Sequence, residues 1–178
     1  EALFASLISV VKYVADPYNQ LPAITYWLMG DFSLVSLKTM TMVGIPMLAG
    51  TGALMLYGRH LNVLSMGDEE ARALGVNVRL IRGGVIIFAT LVSALSVMIG
   101  GMVGWVGLVI PHVARMIVGP DNTLLLPASA LMGAVYLLIV DDFSRMLLSF
   151  EIPIGIMTSL VGIPFFIGIL KNAKKGWG

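Results

Sequence analysis

Of the 178 residues, 58% are hydrophobic types and only 12% are charged, with a mean hydropathy of +0.94; soluble domains run at roughly 45–50% apolar and about 25% charged, so this is the composition of a membrane protein. Eleven Lys and Arg against ten Asp and Glu leave a formal charge of +1, which excludes a field able to concentrate nucleic acid. With no cysteine and only two, widely separated histidines, His60 and His112, disulfides, thiolate chemistry and a paired-ligand metal site drop out, and no cofactor bound by this chain is expected.

The chain opens on Glu1 and runs at once into Ala2–Val14, with no Met and no basic flank. That opening reads as the inside of an apolar helix, and the chain as a fragment of a longer polypeptide. A crossing needs about 20 mostly apolar residues, so Ala2–Val14 is expected to be the end of a truncated span. Residues 16–38, with Pro17, Pro22, Tyr26, Trp27 and Gly30-Asp31, fit either a short helix at the membrane interface, where aromatics concentrate, or a plain loop. Met40–Tyr57 is the next span.

The connection 58–82 holds the run Ser65, Met66, Gly67, Asp68, Glu69, Glu70, Ala71, Arg72, Ala73, Leu74, Gly75. Ser65 or Asp68 can cap a helix, Glu69 and Glu70 suit its positive end, and Gly75 is a stop signal. Leu64, Ala71 and Leu74 form the expected apolar side. Gly83–Ile110 then carries no charge over 28 residues and would reach about 42 Å as one helix, too long for one crossing. Gly100, Gly101, Gly104 and Gly107 supply the break, giving spans over about 83–99 and 101–118. Leu124–Val140 and Ile152–Leu170 complete six segments of an all-α polytopic membrane protein.

Lys and Arg in short loops favour the cytoplasmic side. With 58–82 placed there, the same side receives Arg59, Arg72, Arg79, Arg82, Arg115, Lys171, Lys174 and Lys175, eight of the eleven. The other side holds Lys12, Lys38 and Arg145 beside Asp16, Asp31, Asp141, Asp142 and Glu151. The C-terminus is therefore expected in the cytoplasm.

No phosphate-binding loop, nucleophile elbow or zinc-protease helix occurs. Asp141 and Asp142 point about 100° apart on a helix and cannot form a dyad; Asp141 is instead four residues before Arg145, the spacing of an ion pair. That pair either holds a helix end or leaves Arg145 to grip an acidic partner. Pro111, His112 and Arg115 precede the turn Gly119-Pro120-Asp121. His112 fits a proton relay, or a structural role with Arg115 on one helix face, satisfying carbonyls or headgroups. The twelve methionines fill gaps or line a compliant apolar pathway. Glu151, Pro153 and Gly155 open the last span, with the carboxylate at the positive helix end, and Gly162-Ile163-Pro164 breaks or kinks it.

The strings Gly104-Trp105-Val106-Gly107-Leu108-Val109-Ile110-Pro111-His112-Val113-Ala114-Arg115, Val118-Gly119-Pro120-Asp121, Asp141-Asp142-Phe143-Ser144-Arg145, Glu151-Ile152-Pro153-Ile154-Gly155 and Gly162-Ile163-Pro164-Phe165-Phe166 resemble the C-terminal half of the FecCD-type permeases. These are membrane subunits of ABC importers for iron siderophores, haem, cobalamin and related chelates. The resemblance implies a ten-helix subunit, of which these six segments are the second half, in the bacterial or archaeal inner membrane. It implies no enzymatic activity in this chain, with ATP and Mg on partner ATP-binding cassette subunits. Further implied partners are a second permease subunit, identical or paralogous, a periplasmic or lipoprotein binding protein, and membrane lipids. By the same resemblance, the coupling segment 62–78, with Ser65 to Gly75 at its centre, docks on the ATPase and Arg145 meets a glutamate of the binding protein. A secondary transporter or channel would also show broken helices, but with ionisable residues at mid-membrane, and an intramembrane hydrolase would need a Ser–His or Asp–Asp pair at depth.

Overall fold

The structure is a computed structural model that describes residues 2–32, 35–146 and 151–174. The side chains of Phe165 and of 169–174 fall outside the described set, as do Glu1, Ser33, Leu34, 147–150 and 175–178, so the basic tail of Lys171, Lys174 and Lys175 does too. Among the described residues the regular structure is all helical: α1 (Ala2–Val14), α2 (Gln20–Leu28), α3 (Leu37–Leu56), α4 (Gly58–Leu64), α5 (Asp68–Ala73), α6 (Val78–Gly100), α7 (Val106–Val118), α8 (Asn122–Met146) and α9 (Ile154–Lys174). Three of these, α3, α6 and α8, are long and apolar enough to cross a membrane, and α1, α7 and residues 154–168 of α9 are shorter apolar helices. Only 11%, 6% and 11% of the apolar stretches of α3, α6 and α8 is buried. Faces so apolar and so open belong against lipid or further protein, not water.

Local chemistry sets the helix starts. Ser36 caps α3 by accepting from the Thr39 N–H at 3.1 Å, and Asn77 caps α6 by accepting from Leu80 N–H at 3.1 Å. The Asn77 cap starts α6 five residues before the uncharged run, so Arg79 and Arg82 are helical. Likewise α8 continues six residues past Val140 and carries Asp141 and Arg145 on its last turns. Segment 16–38 does contain a helix, the nine residues of α2. Of the two readings of Pro164, a break or a kink, the break does not occur: α9 runs through it, as α3, α7 and α8 run through Pro46, Pro111 and Pro127. Neighbouring helices and local adjustment re-satisfy the backbone group that each proline frees.

The expected break between α6 and α7 falls at residues 101–105, where backbones approach closely. Gly101 sits at φ +65° and Gly30 at φ +86°. Their segments meet the start of α9, where the Ile154 N–H donates to the Gly30 carbonyl at 2.9 Å and the Gly155 N–H to the Met29 carbonyl at 3.1 Å. A Cβ on Gly101 would strike the Trp27 carbonyl oxygen, and one on Gly155 the Met29 carbonyl oxygen. Trp105, at φ +66°, is the only described non-glycine residue in the left-handed region. It packs its Cβ against Gly162, and its ring lies 5.9 Å from that of Phe166. Beside this junction Val140, Ile154 and Met157 form the buried core, covered by Phe32, Val103, Tyr136, Leu137 and Ile152.

Gly101→Ala therefore adds a side chain where neither the dihedral angle nor the space permits one. Its expected loss is about 2 kcal/mol or more, read as a lower melting temperature in detergent. Gly44→Ala is the comparison: its Cβ meets nothing within 4 Å, and in mid-helix it should be neutral or stabilising by up to about 1 kcal/mol.

Candidate functional site

The polar side chains gather at the two ends of the bundle. At one end the run 65–75 forms a short helix hinged off α4. Ser65 does not cap α5; its hydroxyl donates to the Asn62 carbonyl at 2.6 Å, closing α4. The N-cap of α5 is Gly67, at φ +126°, with no side-chain cap bond. Asp68, Glu69 and Glu70 fill its first turn, where the helix dipole favours negative charge. Beyond Leu74, Gly75 takes φ +79°. Of the expected apolar side, Ala71 is fully buried, whereas Leu74 is 63% exposed, because α5 ends before a further turn could carry it inward. Met66, Glu69, Glu70, Arg72 and Ala73 also face outward.

Two ties bind this end to the spans. Asp68 pairs with Arg82 of α6 at 2.7 Å. Asn62 of α4 donates to the Asp121 carboxylate at 2.6 Å, and its own oxygen accepts from the backbone and side-chain N–H groups of Asn122 at 2.8 and 2.9 Å. Asp121 also accepts from the Thr123 hydroxyl and backbone N–H, at 2.7 and 2.8 Å. The hydrogen bond from Asn62, then those from the Thr123 side chain and backbone, hold the Asp121 carboxyl below its usual range. Gly58 permits the approach, since a Cβ there would press on the backbone of Thr123. The residues of this latch lie about sixty positions apart, and no spacing signal pairs them. Pro120 is exposed, Gly119 takes φ +85° past α7, and His112 and Arg115 are exposed on α7 with no hydrogen bond or ion pair among the described residues.

At the opposite end Arg145 is held between two carboxylates, Nε to Asp141 at 3.0 Å and Nη1 to Glu151 at 3.5 Å. The expected i,i+4 pair is present. Glu151, by contrast, turns toward Arg145 instead of toward the α9 terminus, because Pro153 and Ile154 carry the chain into the Gly30 junction. Tyr26 of α2 donates its hydroxyl to the Glu151 carbonyl at 3.3 Å, and Ile152 N–H reaches the Ser144 carbonyl at 3.3 Å. Asp31 also faces this crevice, which at about 10 Å³ is closed to any solute. With a side chain 41% exposed, Arg145 is reachable only from outside.

Between the ends lies an apolar groove of about 660 Å³, walled by Met29, Met102, Trp105, Gly155, Ser159 and Pro164 among others. Its hydroxyl, on Ser159, is turned to the Gly155 carbonyl at 2.7 Å. Two of the methionines, Met29 and Met102, line it. No cluster of three His, Asp or Glu able to hold a metal occurs among the described residues. The groove offers apolar contact and no reactive group.

Asn62→Ala tests the latch. It removes the largest cause of the lowered Asp121 pKa, so that value should rise toward the ordinary carboxyl range. Loss of the half-buried bonds to Asn122 should destabilise the chain by about 1–2 kcal/mol. Because the folded-state pKa of Asp121 is lowered, its share of the stability is complete above the ordinary carboxyl range and disappears as pH falls through the lowered value. Thermal melts across acidic pH should therefore show the gap between wild type and Asn62→Ala narrowing as pH falls.

The model of the FecCD transport family matches residues 1–172. The chain is 40% identical over 174 residues to a molybdate import system permease protein of Haemophilus influenzae, covering 98% of this chain and 52% of that protein. It is 36% identical over 175 residues to a hemin transport system permease protein of Yersinia pestis, again covering 98% and 52%. A solved structure described as an inward-facing conformation of a metal-chelate type ABC transporter superposes with a TM-score of 0.92 at 40% identity, over 96% of this chain and 56% of that one. The chain thus spans about half the length of the curated relatives it matches. With the order of its helices, the broken α6–α7 span and a match over nearly its whole length, the chain belongs to the FecCD transport family.

Proposed function

We propose that the chain is part of the permease subunit of a binding-protein-dependent ABC importer, which moves a metal chelate across the inner membrane with ATP hydrolysed by a partner. The observation that supports it most is the close superposition on a metal-chelate ABC transporter, made together with substantial sequence identity. An iron siderophore, haem or cobalamin is the proposed cargo class; molybdate, the cargo named for one relative, is the other. In this reading the end bearing α4 and α5 is cytoplasmic, and so is the C-terminus.

The outward face of α5 around Glu69, Glu70 and Leu74 docks in a groove of the ATPase. A push on it has two routes inward, through Asp68–Arg82 into α6 and through Asn62–Asp121 into α8. Movement of the spans then needs contacts that differ between the outward- and inward-facing states, and a paired helix end transmits force where a free loop would yield. Arg145 meets a glutamate of the binding protein. Its guanidinium has five donors, more than its two ion pairs consume. Asp141 and Glu151 hold it in place, so the incoming carboxylate finds a side chain already oriented. A second permease subunit closes the other wall of the apolar groove.

Uptake of labelled chelate by the assembled transporter should vanish when the phosphate-binding lysine of the ATPase is replaced; persistent uptake would mean a secondary transporter. Single cysteines at Glu69 or Leu74, in a permease otherwise freed of cysteine, should crosslink to the ATPase in an active assembly. Cysteine at buried Ala71 should not.

Arg145→Gln should weaken association with the binding protein about tenfold or more, as expected for a lost charge-assisted contact. Asp141→Asn should leave that affinity within a few fold while lowering thermal stability slightly, since exposed pairs contribute about 0–1 kcal/mol. Equal affinity for wild type and Arg145→Gln, measured by surface plasmon resonance, would reduce the arginine to a structural pair.

A further inference from the structure

We propose that the cleft between α5 and the start of α6 binds the headgroup of an anionic phospholipid. The cleft has a volume of about 330 Å³ and is lined by Asp68 and Arg72 of α5 and by Arg79, Arg82, Gly83 and Ile86 of α6, among others. Three guanidiniums thus face one carboxylate. That carboxylate is already committed, at 2.7 Å, to Arg82, and neither Arg72 nor Arg79 has an ion pair among the described residues. The cleft therefore holds a surplus of positive charge that no carboxylate pairs with among the described residues.

Its position selects the ligand. The uncharged run of α6 begins at Gly83, so Arg82 adjoins it and Arg79 stands about one turn before it, a placement that suits contact with lipid phosphates. Arg79, Arg82 and Ile86 follow at helical spacings of three and four and share one face. Ile86 is 57% exposed, and a Cβ on Gly83 would meet nothing within 4 Å. The floor of the cleft is thus open and opens upward onto apolar surface. A phosphodiester seated among the guanidiniums would have its acyl chains lying along Gly83 and Ile86. An acidic segment of a protein would match the charge but would have no use for the apolar wall. Basic pockets at the ends of membrane helices bind anionic headgroups by this combination. Lipid binding here does not depend on the transport reading; only the naming of this leaflet as cytoplasmic does.

The test is native mass spectrometry of the full permease in neutral detergent, with phosphatidylglycerol and phosphatidylcholine offered in equal amounts. Phosphatidylglycerol should be retained preferentially. Each guanidinium near such a surface is worth about fivefold in affinity, so Arg72→Gln with Arg79→Gln should lower the preference about 25-fold. Arg79→Gln alone should lower it about fivefold, which keeps the test valid if the double variant fails to fold. Arg59→Gln, at the same end but not lining the cleft, should change nothing. Equal retention of both lipids, or a preference that survives the variants, would overturn the proposal. Displacement of the lipid by inorganic phosphate would mark a site for soluble anions. Displacement by the bound ATPase would assign the guanidiniums to a protein partner. Either would also overturn it.

Discussion

Backbone polar groups that leave a helix inside a membrane must be satisfied by protein, because lipid offers no partner. This chain leaves helical geometry at two places close in space, after α2 and between α6 and α7, and both converge on the first turn of α9. The N–H groups of Ile154 and Gly155, unpaired in any helix start, are taken by the carbonyls of Gly30 and Met29. The glycines at 30, 101 and 155 make this possible by leaving the backbones bare where they touch. Everything at that end depends on the junction: it sets where α9 begins, closes the core around Ile154 and Met157, and brings Glu151 to Arg145. It also forms one wall of the apolar groove, whose lining comes largely from these broken segments.

The opposite end is organised differently. There the connection between α3 and α6 is folded into two short helices, neither long enough to be stable alone. They are held by side-chain pairs, Asn62 with Asp121 and Asn122, and Asp68 with Arg82. Such pairs are modest in strength at an exposed surface, but they are directional, and they connect α4 and α5 to different spans. A backbone junction at one end and side-chain ties at the other divide the molecule into a crowded end and a more compliant one. That division suits a membrane subunit driven from one side. It also leaves Arg72 and Arg79 without an ion pair among the described residues.

Much of this was legible in the linear chain. The uncharged run 83–110 is too long for one crossing and the glycines fall in its middle, so the break between α6 and α7 follows from length alone. The i,i+4 pair of Asp141 and Arg145 and the stop at Gly75 are local and were equally readable. Three readings were left to the folded chain. Ser65 could be recognised as a capping type, but whether it closed α4 or opened α5 depended on Gly67. Pro164 reads as a break or a kink, and the continuous α9 removes the break. Glu151 stands at the start of a helix, and its choice of Arg145 over the helix dipole is set by the turn that the Gly30 junction imposes.

By itself the sequence determined the membrane class, the order of its apolar segments and the motifs of the family. All of these are properties of composition and of spacing along one chain. Only the tertiary structure decided which polar groups meet: Asn62 with Asp121, Tyr26 with Glu151, Asp68 with Arg82, and the arginines that share a cleft. The physical reason is range. Periodicity and charge act over a few residues, whereas hydrogen bonds and close backbone contacts act over about 3 Å between segments that the chain brings together only when its helices pack.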